Sequence, residues 1–206
     1  MNSNLGGRLP LVDADTLDAP QRELFDYLRR RVVPWADAAG FRSMTADGKF
    51  IGPFNAALRS PTVAGAFLQL QASEERHTSL SDRVRQVVIL AVGAVWAADY
   101  EIYAHSAVAR HCGIPDDAIR RLAAGTLPDT LSDEEKVAYR FAQKLSTSHR
   151  IDDSTFRQAR KAFGDSGIVD IIILAGTYYT VCGVLNAFEV PAPSENPAEK
   201  EDPSCR

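Results

Sequence analysis

The sequence contains few cysteine, methionine and tryptophan residues: three, two and two of them in 206 residues. The cysteines, Cys112, Cys182 and Cys205, are widely spaced, and no Cys-x-x-Cys pair or Cys/His cluster occurs. Such spacing indicates neither a dithiol redox centre nor a structural zinc site. We therefore expect no metal ion and no other cofactor, and a reducing compartment, the cytoplasm.

The sequence also lacks an excess of basic residues and a long apolar run that is free of polar side chains. The formal net charge is −4, whereas a general nucleic-acid binder usually has a basic excess. The first residues contain no basic segment followed by an apolar run, so we expect no secretory signal. The longest apolar stretch, residues 168–188, contains Asp170 and further polar side chains. We interpret it as a buried helix rather than a membrane span, and we expect neither nucleic acid nor a membrane as a partner.

The hydrophobic content and its spacing along the chain predict a single all-α domain. Hydrophobic residues make up 45% of the chain, which is enough to fill a core. They recur at helical spacing in most segments. Pro34 is expected to end the first long helix, and Gly164 to separate two helices near the C-terminus. We predict an N-terminal arm (residues 1–19), the helical domain (20–190) and a disordered tail with four prolines (191–206).

One segment, residues 87–98, consists only of apolar residues and glycine. A helix that is apolar on every side is central in its domain or shared between subunits. Glu101 and His105 follow it, four residues apart and thus on one face of a helix. A carboxylate that orients an imidazole forms a competent general acid or base near neutral pH. The same spacing is also common in ordinary surface pairs, so the pattern alone leaves both interpretations open.

Three separated segments carry the motifs of a known family. Residues 47–61 read D-G-K-F-I-G-P-F-N-A-A-L-R-S-P, residues 81–113 contain the apolar run with Glu101 and His105, and residues 175–186 read A-G-T-Y-Y-T-V-C-G-V-L-N. In this order they resemble carboxymuconolactone decarboxylase-like proteins of the alkylhydroperoxidase D-like superfamily. The resemblance implies an all-α fold with a helical-hairpin core, a small-molecule substrate, and assembly as a homotrimer or a homohexamer.

The peroxidase branch of that superfamily carries a Glu, then Cys-x-x-Cys, then His. At the two cysteine positions this chain has Ala98 and Glu101, at the histidine position His105, and at the upstream glutamate position Gln86. The resemblance therefore implies the branch without thiols, with Glu101 and His105 as the catalytic residues. Gln86 departs from the pattern, because an amide cannot exchange protons as a carboxylate does.

The resulting hypothesis is a cofactor-free lyase that decarboxylates, or rearranges by elimination or isomerisation, a small oxygenated acid or lactone, as in aromatic-compound degradation. His105 would move the proton and Glu101 would fix its tautomer. Arg83 or Arg85 would hold a substrate carboxylate, since a planar guanidinium matches that anion. The residues expected to bind substrate are Arg85, Gln86, Trp96, Tyr100, Phe54, Asn55 and Tyr178.

Two alternatives stay open at this point. The first is a non-catalytic or small-ligand-binding oligomer that keeps the same fold, as the loss of the glutamate at Gln86 suggests. The second is a peroxidase-related protein, which would need a thiol outside the family position. The three cysteines are the only source of such a thiol.

Overall fold

The computed structural model of the protein describes residues 4–194. Within that range the chain forms a short 3-10 helix (Ala14–Thr16) and eight α-helices. The α-helices are α1 (Ala19–Ala39), α2 (Pro53–Ala57), α3 (Pro61–His77), α4 (Asp82–Trp96), α5 (Asp99–His111), α6 (Asp116–Ala123), α7 (Asp133–Ser148) and α8 (Asp153–Ala187). The described residues form no strand, and one isolated β-bridge joins Met44 to Phe50. The prediction of an all-α fold is confirmed.

The central helix is α4, as its apolar sequence predicts. Its N-terminus is capped by Ser81, whose side chain accepts a hydrogen bond from the backbone N–H of Val84. Every residue from Gln86 to Gly93 is buried, because α5, α6, α7 and α8 all pack around this helix. Burial of each large aliphatic side chain contributes roughly 1.5–3 kcal/mol, so the segment is a main source of stability.

A tight hairpin joins α4 to α5. Ala97 ends α4 in the left-handed conformation (φ 49°), and its N–H donates to the carbonyl groups of Ala94 and Gly93. A Cβ atom at Gly93 would lie 3.1 Å from Ile102 Cδ1 and 3.4 Å from Glu101 Cγ. The absence of a side chain at Gly93 therefore allows the first turn of α5 to approach the central helix closely.

The first helix continues past Pro34, so the prediction that it ends there is wrong. Pro34 is exposed, and water can hydrogen-bond the carbonyl group that a proline leaves unpaired one turn earlier. The helix ends at Gly40, whose left-handed backbone (φ 84°) forms the C-cap. Ala36 is fully buried, and the Trp35 ring packs edge-on against Phe41 at 4.9 Å. These contacts stabilise the added helical turn.

The last helix, α8, is long and bent. Gly164 has non-helical backbone angles (φ 66°, ψ −177°), so the predicted interruption is present although the helix resumes directly after it. α8 is long and apolar enough to cross a membrane, with a mean hydropathy of 1.9 over its most apolar window, of which 44% is buried. A core helix of a soluble protein has the same properties. In α8, Asp170 accepts hydrogen bonds from Thr78 and Ser79.

The described part of the N-terminal arm lies against the helical domain. The side chains of Leu5 and Val12 are buried. The Leu5 carbonyl accepts a hydrogen bond from the Gly52 N–H at 3.1 Å, and the Phe188 carbonyl accepts one from the Arg8 N–H at 2.7 Å. The arm thus connects the loop before α2 with the end of α8. The predicted disordered tail falls largely on residues 195–206, which lie outside the described range.

Gly52 provides a test of how this loop is held. It has a φ of 65°, and a Cβ atom there would lie 2.4–2.9 Å from ring atoms of Tyr100. Tyr100 is buried, and its hydroxyl donates to the Arg42 carbonyl at 2.7 Å, so its ring cannot move away easily. We expect Gly52→Ala to lower the free energy of unfolding by about 3 kcal/mol, measured by urea denaturation.

Gly48→Ala is the matched control for this substitution. Gly48 also has a positive φ, of 82°, but a Cβ atom there would have no neighbouring atom within 4 Å. It therefore incurs only the backbone strain, about 1 kcal/mol. Equal destabilisation by the two substitutions would show that the contact with Tyr100 does not matter.

Candidate functional site

A cavity of about 440 Å³ lies between α1, α3, α4, α5 and α8. Most of its wall is apolar or aromatic, with a small number of polar side chains, which is the usual composition of a small-molecule site. The buried and half-buried polar side chains in the wall include Glu74, Arg85, Gln86, Glu101, His105 and Thr177. Four of the helices thus contribute to one polar region inside an apolar enclosure.

Glu101 and His105 lie one turn apart on α5 and face the cavity. The residues are 3% and 4% exposed, and Glu101 Oε1 lies 3.2 Å from His105 Nε2. Oε1 is nevertheless not aligned for a hydrogen bond with any described residue. Burial raises the pKa of Glu101 above 4.5. Burial, with a smaller contribution from the Arg85 charge, lowers the pKa of His105 below 6.5. Both shifts favour a neutral pair that holds one proton between the two groups.

Gln86, on α4, contacts the other side of the imidazole. Its Oε1 lies 2.8 Å from His105 Nδ1. An amide oxygen only accepts hydrogen bonds, so Nδ1 carries a proton and Nε2 is directed at Glu101. Gln86 is thus a second side chain, beside Glu101 of the sequence-based hypothesis, that is placed to orient the imidazole. The rings of Tyr178 and Trp35 lie 5.0 Å and 6.1 Å from the imidazole and limit its movement.

The two candidate arginines have different surroundings. Arg85 lines the cavity and forms a two-point ion pair with Glu74, through Nε to Oε1 at 3.2 Å and Nη2 to Oε2 at 2.6 Å. Arg83 instead pairs with Glu135 at 2.6 Å, donates to the Gly113 carbonyl, and does not line the cavity. Of the two, only Arg85 has a position from which it could meet a substrate in this cavity.

The structure brings together most of the site residues predicted from the sequence. Seven of the nine line the cavity: Phe54, Arg85, Gln86, Tyr100, Glu101, His105 and Tyr178. Two lie elsewhere. Trp96 stacks on Tyr179 with ring centroids 6.1 Å apart, because it is at the far end of α4. Asn55 is buried under the arm, where its side chain accepts a hydrogen bond from the Val12 N–H at 2.9 Å.

The cavity wall also contains residues that were not predicted from the sequence, and three of them matter for the site: Trp35, Glu74 and Thr177. Trp35 was not predicted because the first helix was expected to end at Pro34, one residue before it. Glu74 lies 11 residues before Arg85, on another helix, and no local spacing signals that pairing. Thr177 occurs in an apolar segment, where a single hydroxyl is usually bonded to the preceding helical turn. Here its Oγ1 has no hydrogen-bond partner among the described residues.

Neither a metal site nor a reactive thiol is evident in the described range. Among residues 4–194, no group of three His, Cys, Asp or Glu side chains is placed to hold a metal ion. Burial raises the pKa of the Cys112 and Cys182 thiols, so both favour the protonated form. Cys205 lies outside the described residues.

Residues 61–144 match the model of the carboxymuconolactone decarboxylase family. The match spans fewer than half of the residues of the chain, and it contains the α4–α5 hairpin with Gln86, Glu101 and His105. This match supports a carboxymuconolactone decarboxylase-like assignment for the region that it covers. No functionally curated protein matches the chain significantly.

Solved structures with the same fold extend over nearly the whole chain. An uncharacterized peroxidase-related protein of the alkylhydroperoxidase AhpD core type from Ralstonia eutropha JMP134 is 20% identical, with a TM-score of 0.72 over 92% of this chain and 94% of that one. An uncharacterized peroxidase-related protein from Silicibacter sp. TM1040 is 18% identical, with a TM-score of 0.71 over 95% of this chain and 96% of that one. The debrominase Bmp8, solved with 2,3,4-tribromopyrrole, is 15% identical, with a TM-score of 0.67 over 84% and 89%. At these identities the likeness shows the AhpD-like fold.

The shared proton of Glu101 and His105 leads to a prediction for stability against pH. Between pH 4.5 and pH 6.5, the ordinary pKa values of the two groups, the unfolded chain carries one proton on this pair and the folded pair also carries one. This pair then adds no slope to the stability curve. Above pH 6.5 the unfolded chain loses its proton while the folded pair keeps one, so the pair's contribution to stability falls as pH rises.

Glu101→Gln removes the shared proton, so the folded variant carries none on His105 in this range. Relative to the original protein, the variant should therefore gain stability as pH rises from 4.5 past 6.5. The relative slope is at most about 1.4 kcal/mol per pH unit. Urea denaturation of both proteins across this range measures it. Parallel stability curves would show that the two groups do not share a proton.

Proposed function

We propose that the protein is a cofactor-independent proton-transfer enzyme, a lyase or isomerase, that acts on a small oxygenated acid or lactone. The observation that carries the proposal is the buried Glu101–His105 pair on the wall of the cavity. A general acid or base with a pKa moved toward neutrality transfers protons efficiently near neutral pH. Burial moves the pKa of Glu101 in that direction.

In this proposal three side chains have separate roles. Both imidazole nitrogens face protein side chains: Gln86 Oε1 lies 2.8 Å from Nδ1, and Glu101 Oε1 lies 3.2 Å from Nε2. Glu101 is therefore the group that exchanges a proton with the substrate, and His105 takes up or returns a proton at Nε2. Gln86 holds Nδ1–H in place throughout. This differs from the sequence-based hypothesis, in which His105 itself met the substrate.

The same pair serves the three reactions that the hypothesis includes. In a decarboxylation, the carbon–carbon bond to the carboxylate breaks, its electron pair moves toward a conjugated carbonyl, and the pair delivers one proton to the resulting carbon. In an isomerisation or elimination, Glu101 removes a proton next to the carbonyl, and the pair returns it at another carbon or to the leaving oxygen. One acid–base group supplies roughly 10²- to 10⁴-fold in rate, so the substrate must itself be activated.

Two observations from the comparisons bear on the alternatives. Bmp8 was solved with a small ring compound, which supports a small molecule as the ligand of this fold. Peroxidase-related proteins share the fold, but this chain has Ala98 and Glu101 at the redox cysteine positions. We therefore place acid–base chemistry ahead of thiol peroxidase chemistry.

The test uses two probes of different charge: CO₂ release from carboxymuconolactone, and deuterium exchange from solvent into α-angelica lactone. We expect turnover of at least one, and a loss of at least 100-fold in kcat in both His105→Ala and Glu101→Gln. His77→Ala is the matched control, because His77 is exposed at the end of α3. Turnover that survives in His105→Ala would overturn the proposal.

Absence of turnover with both probes would favour the second candidate, a non-catalytic ligand-binding oligomer of the same fold. The observation behind it is Gln86, which cannot relay a proton and yet makes the closest polar contact to His105. Binding of either probe without turnover would distinguish this candidate from an enzyme.

We also propose that the protein forms a homotrimer or a homohexamer. Val169, Ile172 and Ile173 lie on one face of α8, spaced by three and four residues, and are 53%, 44% and 39% exposed. Three neighbouring aliphatic side chains in solvent are typical of a surface that self-associates.

Light scattering after size exclusion measures the assembly. We expect a mass of about three or six times 22.5 kDa for the original protein, and a smaller particle for Ile172→Glu, because burial of an unpaired charge is strongly unfavourable. Val63→Glu is the control, since Val63 is 71% exposed on a different helix. A monomeric original protein would refute the proposed assembly.

A further inference from the structure

The charge balance of the cavity indicates which ligands it accepts. The wall includes two arginines and four acidic residues: Arg31, Arg85, Glu74, Glu75, Asp82 and Glu101. Arg31, Glu75 and Asp82 are exposed and therefore lie toward solvent. With the Glu101–His105 pair neutral, three carboxylates still outnumber two guanidinium groups, so the cavity as a whole does not attract an anion.

Among residues 4–194, Arg85 is the buried guanidinium group of the cavity wall, and its charge is already neutralised. The side chains of Arg85 and Glu74 are only 12% and 6% exposed, and two hydrogen bonds join them. A substrate carboxylate that bound Arg85 would bring a second negative charge next to Glu74 in a region of low dielectric constant. Such an arrangement is strongly unfavourable unless the Glu74 side chain first moves away from Arg85 or becomes protonated.

A neutral hydrogen-bonding group is available in the same wall. Thr177 is 5% exposed, and its Oγ1 has no partner among the described residues. A buried hydroxyl without a hydrogen-bond partner has an unfavourable free energy. A ligand oxygen or N–H that bonds to this hydroxyl removes that cost. The hydroxyl can donate to a carbonyl or accept from a hydroxyl or amide. Glu101 Oε1 is a second buried atom in this wall without an aligned partner.

We infer that the cavity takes an uncharged, oxygen-bearing ligand of the lactone or cyclic enone class, recognised by the Thr177 hydroxyl, and that the Arg85–Glu74 pair excludes carboxylates. This inference rests on the proposed function and deepens it, since it names the substrate class of the same site. It favours isomerisation or elimination over decarboxylation, because the latter needs a carboxylate in the cavity.

The test measures binding rather than turnover. The sequence has two tryptophans, and only Trp35 lines the cavity, 6.1 Å from the His105 ring. In a Trp96→Phe background, the fluorescence of Trp35 therefore reports ligand binding. The probes are muconolactone, which carries one carboxylate, and its primary amide, which has nearly the same shape without the charge. We expect the amide to bind at least 10-fold more tightly.

Variants of the ion pair test the cause of this preference. Glu74→Gln releases Arg85, so muconolactone should gain at least 10-fold in affinity while the amide changes less than three-fold. Glu75→Gln removes a charge from the exposed mouth without freeing Arg85, and it should change either affinity less than three-fold. If Glu74→Gln alone folds poorly, the double variant Glu74→Gln/Arg85→Gln replaces both charges, and it should bind the amide normally and muconolactone weakly.

Thr177 is tested by a matched pair. Thr177→Val keeps the shape and removes the hydroxyl, and it should weaken amide binding at least five-fold. Thr177→Ser keeps the hydroxyl and should bind within about two-fold of the original protein. Loss in both variants, or in neither, would overturn the role of this hydroxyl.

The inference as a whole is overturned if muconolactone binds as tightly as its amide, or if neither probe binds at millimolar concentration. These results leave the proposed function standing, because that proposal is decided by the turnover of His105→Ala and Glu101→Gln. Conversely, turnover that survives in those variants removes the mechanism and leaves the measured ligand class unchanged.

Discussion

The close approach of α4 and α5 at Gly93 is the constraint on which the candidate site depends. With no side chain at Gly93, the first turn of α5 lies against the central helix, and Glu101 is carried into the interior. A carboxyl group there has lost its water, so its pKa rises and it retains a proton near neutral pH. His105, one turn later, is the group that can share that proton. Packing between two helices thus creates the buried acid–base pair on which the proposed function rests.

The sequence predicts the parts of this arrangement that depend on local pattern. The apolar run identifies α4 as central, and the four-residue spacing places Glu101 and His105 on one face of α5. The contacts between distant segments could not be predicted. Gln86 meets His105 across 19 positions in the chain, and the pairing of Glu74 with Arg85 joins two helices. The way in which the helices cross decides which side chains meet. The spacing of residues along the sequence does not predict that crossing.

The error at Pro34 has a physical reason of the same kind. Proline lowers helix stability by about 3 kcal/mol in an interior position, so ending the helix there is the better local prediction. In the protein, burial of Ala36 and the contact of Trp35 with Phe41 oppose this local preference. The consequence concerns the site directly, because the added turn places Trp35 in the cavity wall beside the imidazole.

Gln86 and Glu74 have a common effect, which is to keep the interior of the cavity uncharged. A glutamate at position 86 would face the Nδ1 of His105 and add a second carboxyl group to a buried unit that holds one proton. The unit would then carry a negative charge or require another proton. The amide of Gln86 orients the imidazole without adding charge. Glu74 has the corresponding effect on Arg85, whose charge it balances. An interior built from two neutral units stabilises bound molecules through shape and hydrogen bonds, and it gives no advantage to an anion.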